Sequence, residues 1–579
     1  SPASSMEPWA WSPWRGVMIS RTGWKADDVL FSMHAQQYTL IRHDQVDKGQ
    51  VNLFAYGMDF LIDSGYGNDG GMLMSQGSAA HNMVIIDGKG QIDNAASAHA
   101  NTSGYLRDHL HTSAADFVRA DLKDAWDFTI RKDYTKNRIR SMKKAQRHAL
   151  FARGRLPYLI VYEDLAMDDN THRYGIQWHT GAGNIFSTDA GIHIRSSIDG
   201  ARYPVMAVQP YNTKYDGGFA SPTAPVSEAG EMRLKADLPR NGRYQIWALA
   251  TATGIIPAKS DSIHFSIDGG KAGFSGGSES GTFTWKIATE GTLWTKLIDN
   301  NGTLQVPALE LTAGQHEFIF KIREEGAAIL ALLIAPAEET RPIEMLAREA
   351  GAHVLVSASD FEVSGPVKKM RSSLPASDAE AYIHLVAPGI PAFRNETFQT
   401  TRDGIHPRLT AEVESANPDF LWALVPYKLN AGFNPEGSIR TVPIEKGAAI
   451  SIDVYGVKDL ACRWDGVSIQ ADGWECDGHF FWLRRDVSGK PLAWTVAQAH
   501  SLKAGGRPVF QADGDDVTAV YDGKMLNVSA RELRSLSADT VHCVINGIPV
   551  TGSNKGPFRF EPDAAKQRAI RMAWSETIY

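Results

Sequence analysis

The stretch VNLFAYGMDFLIDSG, residues 51–65, holds two short apolar runs broken at Gly57 and closed by polar residues. That is the signature of two short strands joined by a tight turn. The same pattern recurs on both sides of it. HNMVIIDGKGQ (81–91) is a strand that ends in an Asp-Gly turn, and RLPYLIVYEDL (155–165) is a buried strand rich in β-branched residues with a polar end. Short strands at close spacing, separated by Gly, Asn and Asp turns, predict an all-β chain built from sandwiches. Amphipathic helices of three or more turns are nearly absent; only 343–350 and 563–572 read as short helices.

At 579 residues the chain is long enough for several domains. Hydrophobic residues make up 43% and charged residues 22%, an ordinary globular composition. The formal charge of −7 argues against a nucleic-acid binder, which carries a basic excess. It leaves room for an acidic sugar substrate, since a basic cleft can sit on an acidic protein. No run of 18 apolar residues predicts a membrane span, and the first residues, SPASSMEPWAW, lack the basic-then-apolar pattern of a signal peptide. Of three cysteines, Cys462 and Cys476 flank a hairpin-like stretch and are either paired across it or free buried thiols; Cys543 is left over.

A loose Pro/Gly/Ser-rich stretch, YDGGFASPTAPVSEAG (215–230), opens a segment with its own strands: GRYQIWALA (242–250), DSIHFSIDGG (261–270), GTFTWKIA (281–288) and a closing hairpin through AGQH (313–316). In kind and order these resemble the jelly-roll carbohydrate-binding modules. After Pro336 the sandwich pattern resumes with HVLVSASDFEVSG (353–365) and FLWALVPYKL (420–429). The expected organisation is therefore a two-sheet β-supersandwich from 1–206 and 338–500, interrupted by a jelly roll at 207–337, with a small β-domain at 501–579. Trp247, Trp285 and Trp294 lie on the strands of the insert, where they either stack on sugars or fill the core.

The chemistry concentrates in residues 16–91. In order stand His43, Gln45, Asp47, Gly49 and Val51, then Asp63-Ser64-Gly65-Tyr66, then His81-Asn82 and Asp87-Gly88; farther on comes Trp178-His179. This succession resembles the heparinase II/III family of polysaccharide lyases, whose β-domain carries H-x-H-x-D-x-G, then D-S-G-Y, then H-N and D-G. The resemblance covers about 1–206 and 338–500. It implies β-elimination on a uronate-containing acidic polysaccharide, alginate-like or glycosaminoglycan-like, by a secreted or periplasmic protein. It implies that His43 faces the substrate as base or neutraliser, and that Gln45, Asp63 and His81 occupy the positions of a structural zinc. Gln45 departs from the pattern, because glutamine is a poor zinc ligand beside imidazole. The alternative at these positions is a hydrogen-bonded cluster with Gln45 bridging Asp63 and His81, and His179 is a further candidate member.

Arg42 and Lys48 flank His43 and either attract an anionic chain or are solvated surface charges. His109 and His111 read as loop residues within reach of the cleft, and Asp87-Gly88 and Asp268-Gly269 as turns. Tyr38, Tyr56 and Tyr66 lie near His43 and Asp63 in sequence, and strand packing explains them as well as catalysis does. In the resembled enzymes a helical (α/α) toroid supplies the catalytic tyrosine. No such helical repeat occurs in these residues, so the toroid is expected as a separate domain or chain. The competing reading is a glycan-binding protein that does not cleave.

Overall fold

The computed structural model describes residues 6–576 outside 13–14, 26, 37–44, 65–76, 92–102, 127–141, 197–202, 211–229, 253–261, 271–282, 287–292, 297–307, 324, 340–342, 348–352, 372–378, 401–403, 417, 445–446, 465–467, 541 and 552–556. The described chain is almost entirely β-structure arranged in several sheets, as the strand spacing requires. The one helix longer than a single turn among the described residues is Ala564–Glu576, in the region read as helical; Ile343–Leu346 forms one turn in the other.

An eight-stranded antiparallel sheet is the centre of the first unit. Its middle strands are Ala379–Val386, Phe420–Lys428, Tyr158–Ala166, Lys144–Ala152 and Ala115–Asp121. One face is covered by two smaller sheets. The first is a five-stranded meander from Trp9–Ser12 to Met58–Leu61; the second is four-stranded and contains Val84–Ile86 and His172–His179. Phe31, Leu53, Phe60, Ile86 and Trp178 of these sheets share one core with Phe151, Val161 and Trp422 of the large sheet. The other face, through Leu150, Tyr158, Ile160 and Val425, packs on Ile450, Phe480 and Trp482. A sheet covered on both faces cannot alternate apolar with polar side chains. That is why Tyr158–Leu165 and Phe420–Tyr427 are buried at every position.

A second pair of sheets follows. A seven-stranded sheet contains Val205–Val208, Gly242–Ala252 and Ala327–Pro336, and a five-stranded sheet contains Glu231–Leu238, Ser262–Ile267 and Gly314–Ile322. Tyr244, Ile246, Ile329 and Leu332 of the first share a core with Met232, Phe265, Phe318 and Phe320 of the second. These sheets run past the expected boundaries. Val205–Val208 pairs with Lys368–Arg371, Ala327–Pro336 pairs with Val354–Ser357, and Glu231–Leu238 pairs with Glu362–Ser364. The unit is therefore 205–371 rather than 207–337. The boundary at 500/501 is likewise corrected. A nine-stranded sheet spans Ile439–Val550, a six-stranded sheet spans Ile469–Phe560, and both feed one core that includes Trp494, Phe510 and Ile545.

Cys462, Cys476 and Cys543 are free and buried, so the unpaired alternative holds. Burial pushes all three thiols up, Cys476 and Cys543 to about 12.

Candidate functional site

The motif residues meet where the meander, the four-stranded sheet and the large sheet converge. Gly49 ends the loop before strand Val51–Ala55 with φ +100°, and a Cβ there would lie 2.7 Å from Leu122 Cδ1. The positive φ favours glycine at this position of the motif, and any side chain would also have to displace the Leu122 methyl.

Asn82 ties the segments together. Its backbone N–H donates to Gln50 Oε1 (2.6 Å), and its Nδ2 donates to the carbonyls of Val51 (2.8 Å) and Ile62 (2.9 Å). Its Oδ1 accepts from the His179 backbone N–H (2.7 Å), and its carbonyl accepts from Arg147 Nη1 (2.8 Å). Arg147 also donates to the Gly49 carbonyl and forms a two-point pair with Glu163, at 2.9 and 2.7 Å. Glu163 is a carboxylate buried in the doubly covered strand, and this pair is what makes its burial tolerable. Neither Asn82 nor the Arg147–Glu163 pair was expected from sequence as a site element; the His-Asn dipeptide was the available signal for the first.

Of the expected cluster, Asp63 and His81 are brought together, with Oδ2 and Nδ1 3.3 Å apart. His81 is fully buried and Asp63 is one-third exposed. Burial opposes protonation of His81, but the Asp63 carboxylate outweighs it and raises its pKa. Gln45 joins the same loop through its carbonyl, which accepts from Lys48 Nζ at 2.7 Å. His179 is close by, its Nδ1 2.8 Å from Nε2 of His406, with Ser64 Oγ 3.4 Å from the first nitrogen and 3.1 Å from the second. Burial first, and then neighbouring positive charge, pushes His406 down to about 3 and His179 well below its ordinary value. His406 comes from the strand Gly404–Ser415, and no motif announced it.

Of the three positions where the motif implies zinc, Asp63 and His81 lie together and Gln45 supplies an amide in place of an imidazole. Among the described residues no group of three or more His, Cys, Asp or Glu side chains is placed to hold a metal ion. Gln45 stands where an imidazole is needed, and Asp63 already faces His81 as an ion pair.

Lys48 corrects an expectation. Its side chain is fully buried, 3.1 Å from Asp47 Oδ1, and so is not offered to an anionic chain. Although burial alone would raise it, Asp47 is held well below the usual carboxylate range by Lys48 and by its hydrogen bond with His34. Trp294 is likewise buried, packed edge-on against Tyr203, and presents no face to a sugar. Trp247 is half-buried beneath Lys296, whose Nζ lies 5.8 Å from the ring centroid. Arg42, His43, Tyr38 and Tyr66, and the side chain of Trp285, lie outside the described residues. Tyr56 is described; its ring lies 5.5 Å from Lys428 Nζ, and burial raises its phenol to about 12.

His109 and His111 lie on a strand, Tyr105–His111, not on a loop. His109 packs against the indoles of Trp9 and Trp11, and His111 pairs with Asp116. The two Asp-Gly pairs are turns that also bind side chains. Asp87 accepts from the Arg173 backbone and pairs with His172 at 2.9 Å, while Asp268 accepts from the Glu317 backbone and pairs with His316 at 2.7 Å.

The sequence of residues 22–272 matches the family model described as Heparinase II/III-like, C-terminal. The match runs through 206/207 into the second pair of sheets. Similar solved structures include a Heparinase III–BT4657 gene product, at 8% identity over 83% of this chain and 42% of that one, TM-score 0.34. Heparan sulfate lyase HepC from Pedobacter heparinus is similar at 10% identity over 76% of this chain and 40% of that one, TM-score 0.32. A further Heparinase III structure is similar at 9% identity over 78% of this chain and 42% of that one, TM-score 0.32. The chain thus spans about two fifths of the length of these structures. No curated protein matches it. Residues 22–272, which carry Asn82 and the Asp63–His81 pair, are thus similar to the Heparinase II/III-like, C-terminal, family.

Proposed function

We propose that this chain is the β-part of a polysaccharide lyase that cleaves a uronate-containing acidic polysaccharide by β-elimination. The observation that carries the reading is the family match over 22–272, the stretch holding His43 and the motif that follows it. Elimination removes the C5 proton of a uronate, and the electron pair left at C5 forms the C4–C5 double bond as the C4–O4 bond breaks. The enzyme must neutralise the uronate carboxylate, take the C5 proton and return a proton to O4. Histidine titrates near neutrality and suits proton transfer, and a positive or hydrogen-bonding group beside the carboxylate stabilises charge that develops in the transition state. His43 takes the role of base or neutraliser, with Arg42 beside it as a cation for the anionic chain. The catalytic tyrosine comes from an (α/α) toroid, as another part of the same protein or as another chain.

The Asn82 hub and the Asp63–His81 pair support the loop that leads out of His43 rather than touching the sugar. The unit 205–371 is read as a carbohydrate-binding jelly roll, with half-buried Trp247 as its candidate sugar contact. A polysaccharide substrate would be met outside the cytoplasm, and the protein is read as secreted or periplasmic on that ground. The second reading is a glycan-binding protein without lyase activity. The test is the absorbance of an unsaturated uronate when alginate-, heparan- and chondroitin-type polymers are incubated with this chain, with and without a toroid. Absorbance that grows only with the toroid supports the lyase reading. Binding without absorbance in both arms supports the second.

A further inference from the structure

The C-terminal pair of sheets holds a cleft of about 670 Å³ that the family match does not reach. This volume lies within the range of small-molecule sites, roughly 300–1,000 Å³. Its wall is aromatic. Tyr521 is half-buried in it, and Trp494 stands behind with its ring centroid 5.6 Å from that of Tyr521 and 5.6 Å from that of Phe510. Its rim carries two exposed arginines, Arg507 and Arg559, and one exposed acid, Asp539, which leaves a net positive rim.

The strand register builds the polar side. Gln511 pairs with Ser537, and Ser537 pairs with Arg559, across three adjacent strands. Phe558 and Phe560 turn to the core, so Arg559 between them faces out. Neither Arg507 nor Arg559 forms an ion pair or side-chain hydrogen bond among the described residues, whereas Arg531, Arg534 and Arg571 of the same unit are each paired with acids. Two unpaired guanidinium forks beside an aromatic wall form an arrangement that accepts carboxylate or sulfate oxygens carried on a ring with an apolar C–H face.

We propose that this cleft is a second glycan site, which takes a short acidic oligosaccharide with carboxylate or sulfate groups on Arg507 and Arg559 and a pyranose face against Tyr521. The proposal rests on the reading of an acidic polysaccharide as substrate, and it adds a holding site about which that reading says nothing. The site would keep the polymer on the protein between cleavage events.

The experiment is calorimetric titration of the full chain with uronate and sulfated hexasaccharides, with a neutral hexasaccharide and a mononucleotide as comparisons. Arg507→Gln/Arg559→Gln is compared with Arg240→Gln/Arg243→Gln, which removes the same charge from exposed positions of the second unit. Thermal melts verify that both variants fold. We expect at least a tenfold loss of acidic-oligosaccharide affinity in the first variant and little change in the second. Equal losses in both, no loss in the first, no binding by wild type, or preference for the mononucleotide would each overturn the proposal. Appearance of the unsaturated uronate is followed separately on the toroid-completed enzyme. A groove variant that loses binding but still eliminates short oligosaccharides leaves the lyase reading standing, and a wild type that binds at this cleft without eliminating removes only that reading.

Discussion

Asn82 Oδ1 accepts the backbone N–H of His179 at 2.7 Å, and the amide nitrogen of the same side chain donates to Val51 and Ile62. One buried side chain thus joins the meander, the loop before Asp63 and the four-stranded sheet. Replacing Asn82 by alanine strands the His179 N–H and the Val51 carbonyl away from water. Each orphaned group costs about 1–3 kcal/mol. Asn82→Ala is therefore expected to lower unfolding stability by roughly 2–5 kcal/mol, measured by urea titration. A loss below about 1 kcal/mol would show that the hub is not what holds these segments.

The Arg147–Glu163 pair gives a second stability prediction. Arg147→Met leaves the Glu163 carboxylate buried, with the Trp422 indole N–H, at 3.4 Å, as its one remaining side-chain donor among the described residues. Breaking one side of a buried pair costs about 3–5 kcal/mol, while removing both charges often costs far less. The double variant Arg147→Met/Glu163→Leu should then be more stable than Arg147→Met alone. The same ordering by thermal melt would confirm it, and a double variant weaker than the single would contradict it.

Acid sensitivity follows from buried neutral histidines. Burial pushes His109 and His148 down to about 4 and His406 to about 3, against an ordinary value near 6.5. Between these values the unfolded chain binds protons that the fold refuses. Stability is thus fully present above about pH 6.5 and falls as pH drops towards 4. His81, His172 and His316, whose Asp partners outweigh burial and raise them, and Asp59, Asp108 and Asp459, raised by burial, act in the opposite sense. Burial also lowers His179, His193 and His384, and the carboxyls of Asp47, Asp116 and Asp164, which burial alone would raise, are held down by their cationic and histidine partners, so these groups add to the loss on acidification. Urea midpoints from pH 7.5 to 4.5 should fall steadily, and His109→Phe, with a ring that fits between the same indoles, should flatten the slope. A flat wild-type profile would rule out this account.

Much of the architecture was legible because burial writes itself into strand sequence. Tyr158–Ala166 reads as a continuous apolar run because both its faces are covered. The domain limits were not legible. Pro336 looks like the end of a module, yet its strand pairs with Val354–Ser357, and that partnership is set by packing rather than by local pattern. The site divides in the same way. Asp63 and His81 were found through their motif, whereas His406 lies 342 residues from Ser64 and had no local signal. Lys48 reads as a surface cation beside Arg42 until the structure pairs it with the adjacent Asp47.

The metal prediction comes from the donor set. Asp63 and His81 already form an ion pair, and Gln45 offers a weak ligand. Chelator treatment should leave the melting temperature of the purified chain unchanged, and elemental analysis should find zinc well below one atom per chain. Stoichiometric zinc lost together with stability would mean that the pair rearranges around an ion.

His43 carries the test of the chemistry. It stands two residues before Gln45 in the motif, and the segment that follows is anchored from beneath by Lys48, Asp47 and the Asn82 hub. If His43 transfers the proton or neutralises the carboxylate, His43→Ala in the toroid-completed enzyme should lower the elimination rate by roughly 10²–10⁴, the range for a positioned acid–base group. The melting temperature should not change if His43 acts on the substrate alone. His81→Ala should do the reverse, since it removes a fully buried ring facing Asp63 and should lower stability before it touches turnover. The decisive comparison is therefore between rate and melting temperature in the two variants. Near-normal elimination by His43→Ala would remove the catalytic assignment and leave the chain as a holder of glycan.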